Sequence, residues 1–262
     1  QPWLLRQSFD EIVTEFSLPK SAMSEVVACL DSGQPVFSYA QFTENHFRKV
    51  PVRRIDDCWF LRASLLGLLP HYRVSKRMID ICIAIVGIVC SLPLLLIAAI
   101  AIKLTSRGPV FYQQTRVGHH NIPFSIYKLR SMTTSAEHHG AQWAKKADAR
   151  ITPVGRILRK TRIDEIPQFW NILKGDMAFI GPRPERPEFT GDLANHIPFY
   201  EKRHLVKPGL TGWAQINYPY GASVEDAEKK LEYDLFYVKH GSLALDFHIL
   251  IRTIGAVMKG AR

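Results

Sequence analysis

Hydrophobic and polar positions divide the chain into stretches of different period. Met78–Ile102 (MIDICIAIVGIVCSLPLLLIAAIAI) is apolar apart from Asp80 near its start. At about 1.5 Å per residue, a run of this length crosses the hydrocarbon layer as a straight helix. Pro93, near its middle, cannot donate an N–H and kinks or breaks a helix. The Ser91 hydroxyl is close enough to help satisfy the carbonyls so freed. Lys76 and Arg77 precede the run, and Lys103, Arg107 and Arg116 follow it. The positive-inside rule therefore puts both ends on the cytoplasmic side. The pattern predicts a re-entrant membrane helix over 76–104 that enters, turns at Ser91-Leu92-Pro93 and comes back out. A buried helix of a soluble protein is the alternative, and length and apolarity argue against it.

Other stretches carry the periods of amphipathic elements. Pro123–Leu129 alternates apolar and polar, and Gly108–Tyr112 reads as a turn and short strand, so the two predict a hairpin with Lys128 and Arg130 at its end. Thr152-Pro153 starts a helix as cap and first residue. Val154, Ile157 and Leu158 form its apolar face, and Arg156, Arg159 and Lys160 its basic face. Pro187–Tyr200 reads as irregular, and Glu201–Val206 as polar and basic. Trp213 is compatible with the core or with a membrane interface. Val224–Tyr237 and Leu243–Met258 predict two amphipathic helices; the second is the more apolar, and with Arg252, Lys259 and Arg262 it suits the interface plane as well as a core. Near the start, Ser21–Asp31 predicts a helix capped by Ser21, with Glu25 in its first turn; Val36–Tyr39 and Val50–Ile55 predict short strands. No glycine-rich phosphate loop occurs there, so that segment reads as a structural or regulatory appendage.

Composition adds three constraints. The 262 residues carry 34 Lys+Arg against 24 Asp+Glu, a formal charge of +10 that calls for an anionic partner. The four cysteines, Cys29, Cys58, Cys82 and Cys90, have neither paired nor metal-type spacing and read as reduced thiols. His119-His120 and His138-His139 lack Cys or HxxxH partners and read as surface polar residues. The chain begins at Gln1 rather than methionine and reads as a fragment or a partly ordered chain.

The densest chemistry lies in Thr161–Glu185 (TRIDEIPQFWNILKGDMAFIGPRPE). Asp164 and Glu165 precede Pro167, a residue favoured at the first position of a helix. Phe169, Trp170, Ile172 and Leu173 follow at helical spacing. The acids thus lie at or just before a helix N-terminus, with Arg156, Arg159, Lys160 and Arg162 immediately upstream. In Gly181-Pro182-Arg183-Pro184, prolines restrict the backbone on both sides of Arg183, and a fixed guanidinium suits phosphate. Acids, a helix N-terminus and fixed arginines point to phosphoryl chemistry with a metal. An ordinary acidic first turn beside surface arginines gives the same pattern, and both readings stay open at this level.

Thr161–Glu185 closely resembles the signature of the bacterial sugar transferase family, the monotopic polyprenyl-phosphate phosphoglycosyl transferases. The likeness continues upstream in Gly108–Met132 (GPVFYQQTRVGHHNIPFSIYKLRSM) and downstream in Lys207–Asn217 (KPGLTGWAQIN), in the family's order. YPYGASVEDA after Asn217 and the ending near GAR resemble the branch associated with exopolysaccharide biosynthesis. Tyr218-Pro219 replaces the family's usual Gly-Arg, and a leucine separates the Ser and Pro of the family's membrane break.

The resemblance implies an α/β, helix-rich (α+β), membrane-associated catalytic domain over 74–262, with a re-entrant helix and interfacial helices. It also implies that 1–73 is the C-terminal part of a small nucleotide-binding-like α/β domain. The implied reaction moves a sugar-1-phosphate from a UDP-sugar to undecaprenyl (polyprenyl) phosphate and releases UMP, at the cytoplasmic face of the bacterial inner membrane. Asp164 is then the nucleophile, Glu165 the ligand of Mg²⁺, and Lys128, Arg159 and Arg183 hold substrate phosphate. The expected partners are these two substrates and membrane lipids, with no nucleic acid and a homodimer left open. Two rival readings exist. Glycosidase carboxylates stand at least ~5 Å apart across the bond they cleave, which sequence neighbours rarely do. A membrane-tethered basic binding module without catalysis fits the charge, but no nucleic-acid motif accompanies it.

Overall fold

The computed structural model describes residues 11–14, 20–62, 69–134, 136, 148–219, 221 and 223–258, and the chain divides into two units, 1–63 and 64–262.

The first unit is a small α/β arrangement. Strands β1 (Ile12–Thr14) and β2 (Val36–Ser38) pair in parallel, Ile12 opposite Val36, and α1 (Lys20–Asp31) makes the crossover that parallel strands require. Ser38 starts α2 (Tyr39–Phe47) with a capping box: its Oγ accepts the Gln41 N–H at 3.2 Å, and Gln41 Oε1 accepts the Ser38 N–H at 3.0 Å. The expected strand over Val50–Ile55 does not form. Pro51 cannot donate to a ladder, and the chain makes a 3₁₀ turn over Val52–Arg54 before α3 (Asp57–Arg62).

The second unit is built on α4 (Pro70–Thr105), whose 36 residues run about 54 Å along the helix path. The expected interruption at Ser91–Pro93 is absent, because helical backbone continues through Pro93. The Ser91 Oγ bonds the Ile88 carbonyl at 3.1 Å rather than the Val89 carbonyl that Pro93 leaves free. Such back-bonding beside a proline localises any bend of the helix there. Much of α4 is exposed and apolar, with Val86, Val89, Leu96 and Ile97 each more than 60% exposed. It is the one helix, among the described residues, long and apolar enough to cross a membrane.

Both arms of α4 pack on one layer. That layer contains the hairpin β3 (Phe111–Val117) and β4 (Pro123–Leu129), paired antiparallel with Phe111 opposite Leu129, then α5 (Pro153–Lys160) and α6 (Gln168–Lys174). On the N-terminal arm Ala84 joins Ile126, Ile172 and Met177 in a buried cluster. Arg77 donates to the Ile172 and Leu173 carbonyls at 2.5 and 2.7 Å, closing the end of α6, which Gly175 leaves in the left-handed conformation at φ 97°. On the C-terminal arm Ala98 and Ile102 pack with Leu129 and Leu158. The small residues Ala84 and Ala98 let the helix approach closely.

The chain continues through β5 (Ala178–Ile180), α7 (Pro187–His196), β6 (Gly209–Thr211), α8 (Trp213–Asn217), α9 (Val224–His240) and α10 (Leu243–Met258). β5 and β6 pair in parallel, Ala178 opposite Gly209. Gly181 and Gly209 face each other so closely that a Cβ on Gly209 would strike the Gly181 nitrogen. The fold is a mixed α/β, helix-rich one.

Several expectations change here. Pro187–Tyr200 is not irregular: Pro187 takes the first position of α7, and Tyr200–Leu205 is a 3₁₀ turn. Ile157 leaves the apolar face of α5 and is 63% exposed. Trp213 is buried and stacked on Phe236, so it belongs to the core. On α10, Arg252 turns back to Asn217 Oδ1 at 2.8 Å, while Leu243, Phe247, Ile251 and Ile254 form an exposed apolar stripe. His138, His139, Lys259 and Arg262 lie outside the described residues.

Candidate active site

Thr152 caps α5 as the sequence predicts, its Oγ1 accepting the Gly155 N–H at 2.9 Å. The Gly155 position admits no Cβ, which would meet the Ser131 carbonyl oxygen. After α5 the chain must reverse its heading to bring acids inward. Arg162 makes that turn in the left-handed region, at φ 60°, a costly conformation for a side chain of this size. Ile163–Glu165 then forms a 3₁₀ turn, and Ile166 and Pro167 keep right-handed helical angles into α6. The acid pair therefore occupies the first turn of one helical run. There, free N–H groups and the helix dipole favour negative charge.

The two acids have different surroundings. Glu165 is buried, and its Oε1 accepts from Arg183 at 2.6 Å and from Lys128 at 3.3 Å, while its Oε2 faces Arg162 at 3.6 Å. Burial alone would raise its pKa, but Arg183, Lys128 and Arg162 together hold it far below the carboxylate range. Asp164 is equally buried, yet its Oδ1 has no hydrogen-bond partner. Burial, and then the Glu165 charge, raise the Asp164 pKa against Lys128, Arg159 and Arg162. Arg159 turns inward from the basic face of α5, and its buried Nη1 is likewise without a hydrogen-bond partner. The open Arg159 donor suits an anionic group, whereas the open carboxylate oxygen of Asp164 suits a donor, a cation or an electrophilic centre.

Lys128 stands at the end of β4, opposite Tyr112. Asn171 fixes that strand to α6: its Oδ1 accepts the Tyr127 N–H at 3.1 Å, and its Nδ2 donates to the Ser125 carbonyl at 2.7 Å. Burial pushes the Lys128 ammonium pKa down, and the Glu165 charge opposes this. Neighbouring Arg130 turns away from the acids to the Ser106 and Arg107 carbonyls at 2.8 and 2.7 Å, tying the end of α4 to the same hairpin.

Arg183 projects from the turn after β5. Burial lowers its affinity for a proton, but the Glu165 charge outweighs this and raises its pKa. The structure thus brings together five of the expected site residues, Lys128, Arg159, Asp164, Glu165 and Arg183. Ser91 and Pro93 lie apart on α4.

Both oxygens of Glu165, the expected metal ligand, face cations, Arg183 and Lys128 at Oε1 and Arg162 at Oε2. The open carboxylate oxygen of the pair is Asp164 Oδ1. Among the described residues no group of three or more metal-ligating side chains occurs. Mg²⁺ needs few protein ligands when substrate oxygens supply the rest.

Sequence reasoning missed the buried pair Arg203 and Asp234, whose Nη2 and Oδ2 are 2.7 Å apart, and missed Asn171. A signal for Asp234 was present. It falls among Leu231, Leu235 and Val238, on the buried face of α9.

The sequence model for bacterial sugar transferases matches residues 71–260. The chain is 44% identical over 229 residues to the UDP-N-acetylgalactosamine-undecaprenyl-phosphate N-acetylgalactosaminephosphotransferase of Aeromonas hydrophila, covering 86% of this chain and 53% of that protein. It is 41% identical over 192 residues to the UDP-glucose:undecaprenyl-phosphate glucose-1-phosphate transferase of Klebsiella pneumoniae, covering 72% of this chain and 41% of that protein. It is 39% identical over 189 residues to the uncharacterized sugar transferase EpsL of Bacillus subtilis, covering 71% of this chain and 88% of that protein. The chain spans about half the length of the first two relatives, or less. With the match reaching from the start of α4 through the acid pair to the last helix, the chain belongs to the bacterial sugar transferase family.

Proposed function

We propose that this chain transfers a sugar-1-phosphate from a UDP-sugar to undecaprenyl phosphate through a covalent sugar-phosphoryl aspartate. The supporting observation is the division of labour between the acids. Glu165 is paired with Arg183 and Lys128, whereas Asp164 keeps one buried oxygen open, and Arg159, whose charge acts on Asp164, keeps its Nη1 open.

In the first step an Asp164 carboxylate oxygen attacks the sugar-linked phosphorus of the donor. A phosphorus–oxygen bond forms to the carboxylate, and the bond to the oxygen bridging the two phosphorus atoms breaks. The bridging oxygen leaves with UMP and keeps the electron pair. In the second step a phosphate oxygen of undecaprenyl phosphate attacks the same phosphorus. Asp164 departs as carboxylate, and the polyprenyl-diphosphate-sugar is complete. Carboxylates are established nucleophiles for phosphoryl groups. An anionic attack on an anionic diphosphate needs cations placed in advance, and Arg159, Arg183 and Lys128 are the side chains that supply them. Mg²⁺, which the family resemblance assigns to Glu165, would be held there with diphosphate oxygens and would neutralise further charge on the donor.

The two arms of α4 support a membrane placement. A helix that crossed the bilayer would carry its ends to opposite sides. Here Arg77 and Ala84 bind one layer, and so do Ala98, Ile102 and Ser106. That arrangement supports a monotopic, re-entrant course entering from the cytoplasmic face of the inner membrane, with a bend at Ser91–Pro93 rather than a break. The exposed stripe Leu243, Phe247, Ile251 and Ile254 suits the interface plane. Acid pair and arginines would then stand at headgroup height, where a soluble donor meets a lipid phosphate. The segment 1–73 is read as the end of an accessory α/β domain.

The deciding experiment incubates the protein with a panel of UDP-sugars, with and without undecaprenyl phosphate, and measures UMP. Release with the acceptor, and an adduct mass on the Asp164 peptide with donor alone, are the expected results. Turnover without any such adduct would overturn the covalent route.

A further inference from the structure

The turn that carries Arg183 has an unusual way of being held. Pro182 and Pro184 have no N–H to donate, so the turn offers mainly carbonyls. Four successive carbonyls are taken by three elements, β6, the 3₁₀ turn Tyr200–Leu205 and β3. The Pro182 oxygen accepts the Gly209 N–H at 2.9 Å, and the Glu185 oxygen accepts the Val117 N–H at 2.9 Å. Between them, the Arg183 oxygen accepts Arg203 Nη2 at 2.9 Å, and the Pro184 oxygen accepts Arg116 Nη1 at 3.1 Å.

Arg203 is the more deeply committed of the two guanidinium groups. It is 5% exposed and bonds the Tyr200 hydroxyl at 2.7 Å through Nη1. Its Nη2 lies 2.7 Å from the carboxylate of Asp234, which is 1% exposed. A buried ion pair is poor evidence of stabilisation, because desolvating two charges offsets their attraction. Its direction is informative. The carboxylate pairs with the guanidinium by charge, and among the described residues the guanidinium's backbone acceptor is the carbonyl of the residue whose own side chain reaches Glu165.

We infer that Arg203, anchored by Asp234, is a positioning residue that sets the backbone of Arg183 and thereby the guanidinium beside the acid pair. The inference rests on the functional reading above only in that Arg183 serves the transferred phosphate. Arg203 touches no substrate; it acts through Arg183. Charge-assisted bonds to a carbonyl are shorter and stronger than neutral ones, which suits a turn that cannot bond itself.

The test uses the full chain in lipid nanodiscs, with Arg203→Lys, Asp234→Asn, Arg183→Ala and the double variant Arg203→Lys/Arg183→Ala. Hydrogen exchange is read over 178–186, and UMP release from a UDP-sugar panel is measured alongside. Arg203→Lys should quicken exchange at the turn while α9 stays protected. It should lower kcat by on the order of 10²-fold with little change in KM, the scale of a misplaced catalytic group. The double variant should be no slower than Arg183→Ala alone, since both act through one guanidinium. Asp234→Asn should reproduce the Arg203→Lys pattern and guards against a variant that merely folds badly. Unchanged exchange at the turn, or losses that multiply in the double variant, would overturn the inference. A wild-type chain that releases no nucleotide sinks the transferase reading instead, and the exchange result still decides this one.

Discussion

Arg183 closes on Glu165 at 2.6 Å and leaves Asp164, the next residue back, with an open oxygen. Two adjacent carboxylates are thereby made different. One is a fixed anion that gathers Arg183, Lys128 and Arg162; the other is buried, raised in pKa and uncommitted. Environments that push paired acids apart are how a site assigns them separate roles.

Asp164→Asn therefore removes the attacking oxygen and nothing else of the frame. UMP release should fall by on the order of 10³-fold or more, as for loss of a covalent nucleophile. Membrane association should persist, because α4 is untouched. Activity is read by UMP release and association by flotation with vesicles; full activity would refute the nucleophile.

Glu165→Gln should fail differently. Three cations would face a neutral amide, and breaking a buried pair on one side costs about 3–5 kcal/mol. The expected outcome is a lowered unfolding midpoint together with lost activity, whereas Asp164→Asn keeps its midpoint. Thermal unfolding of both variants in the same detergent checks the contrast.

How far the sequence foretold this site depends on the range of the contacts. The acids in a first helical turn, the Thr152 cap and the Lys128 strand follow from local rules, since caps, prolines and alternation act within a few residues. The ion-pair partners of Glu165 were not legible. Its partners Lys128 and Arg183 lie 37 and 18 residues away, and only the folded layer of β4, α6 and the arginine turn brings them together. The same holds for Arg203 and Asp234. The unbroken helix through Pro93 was missed for the opposite reason: a local rule predicts interruption, and packing of both arms of α4 overrides it.

Mg²⁺ is the next expectation. With one open carboxylate oxygen at the site, the ion would arrive largely with the donor diphosphate. Excess EDTA should stop turnover, and added Mg²⁺ should restore it. EDTA should leave the unfolding midpoint of the substrate-free chain unchanged, because the described residues hold no preformed set of three or more ligands. Undiminished turnover in EDTA would remove the metal from the mechanism.

The course of α4 can be read with thiols. Cys58 is exposed on α3, and Cys82 and Cys90 are exposed on α4. In sealed vesicles with the cytoplasmic face outward, an impermeant maleimide should label Cys58 and spare Cys90, which lies beside the expected bend. His71→Cys and Arg107→Cys, at the two ends of α4, should both label from that same face. Labelling of one end only would show a spanning helix.

Stability should also respond to pH through a group remote from the acids. His204 is buried, paired with Asn121 Oδ1, and close to the Arg203 charge. Burial, then Arg203, push its pKa down to about 3 from an ordinary 6.5. The folded chain therefore keeps a neutral imidazole where the unfolded chain takes up a proton. More protons bound in the unfolded state means stability is fully present above pH 6.5 and is lost as pH falls toward 3. The steepest loss from this one group is about 1.4 kcal/mol per pH unit. His119, also shifted down by burial, adds to the same window, while Glu165 contributes only below its ordinary 4.5. The unfolding midpoint should thus fall between pH 6.5 and 4.5, and His204→Gln, which keeps a donor for Asn121 but cannot titrate, should flatten that slope. An equal slope in the variant would show that another group carries the acid sensitivity.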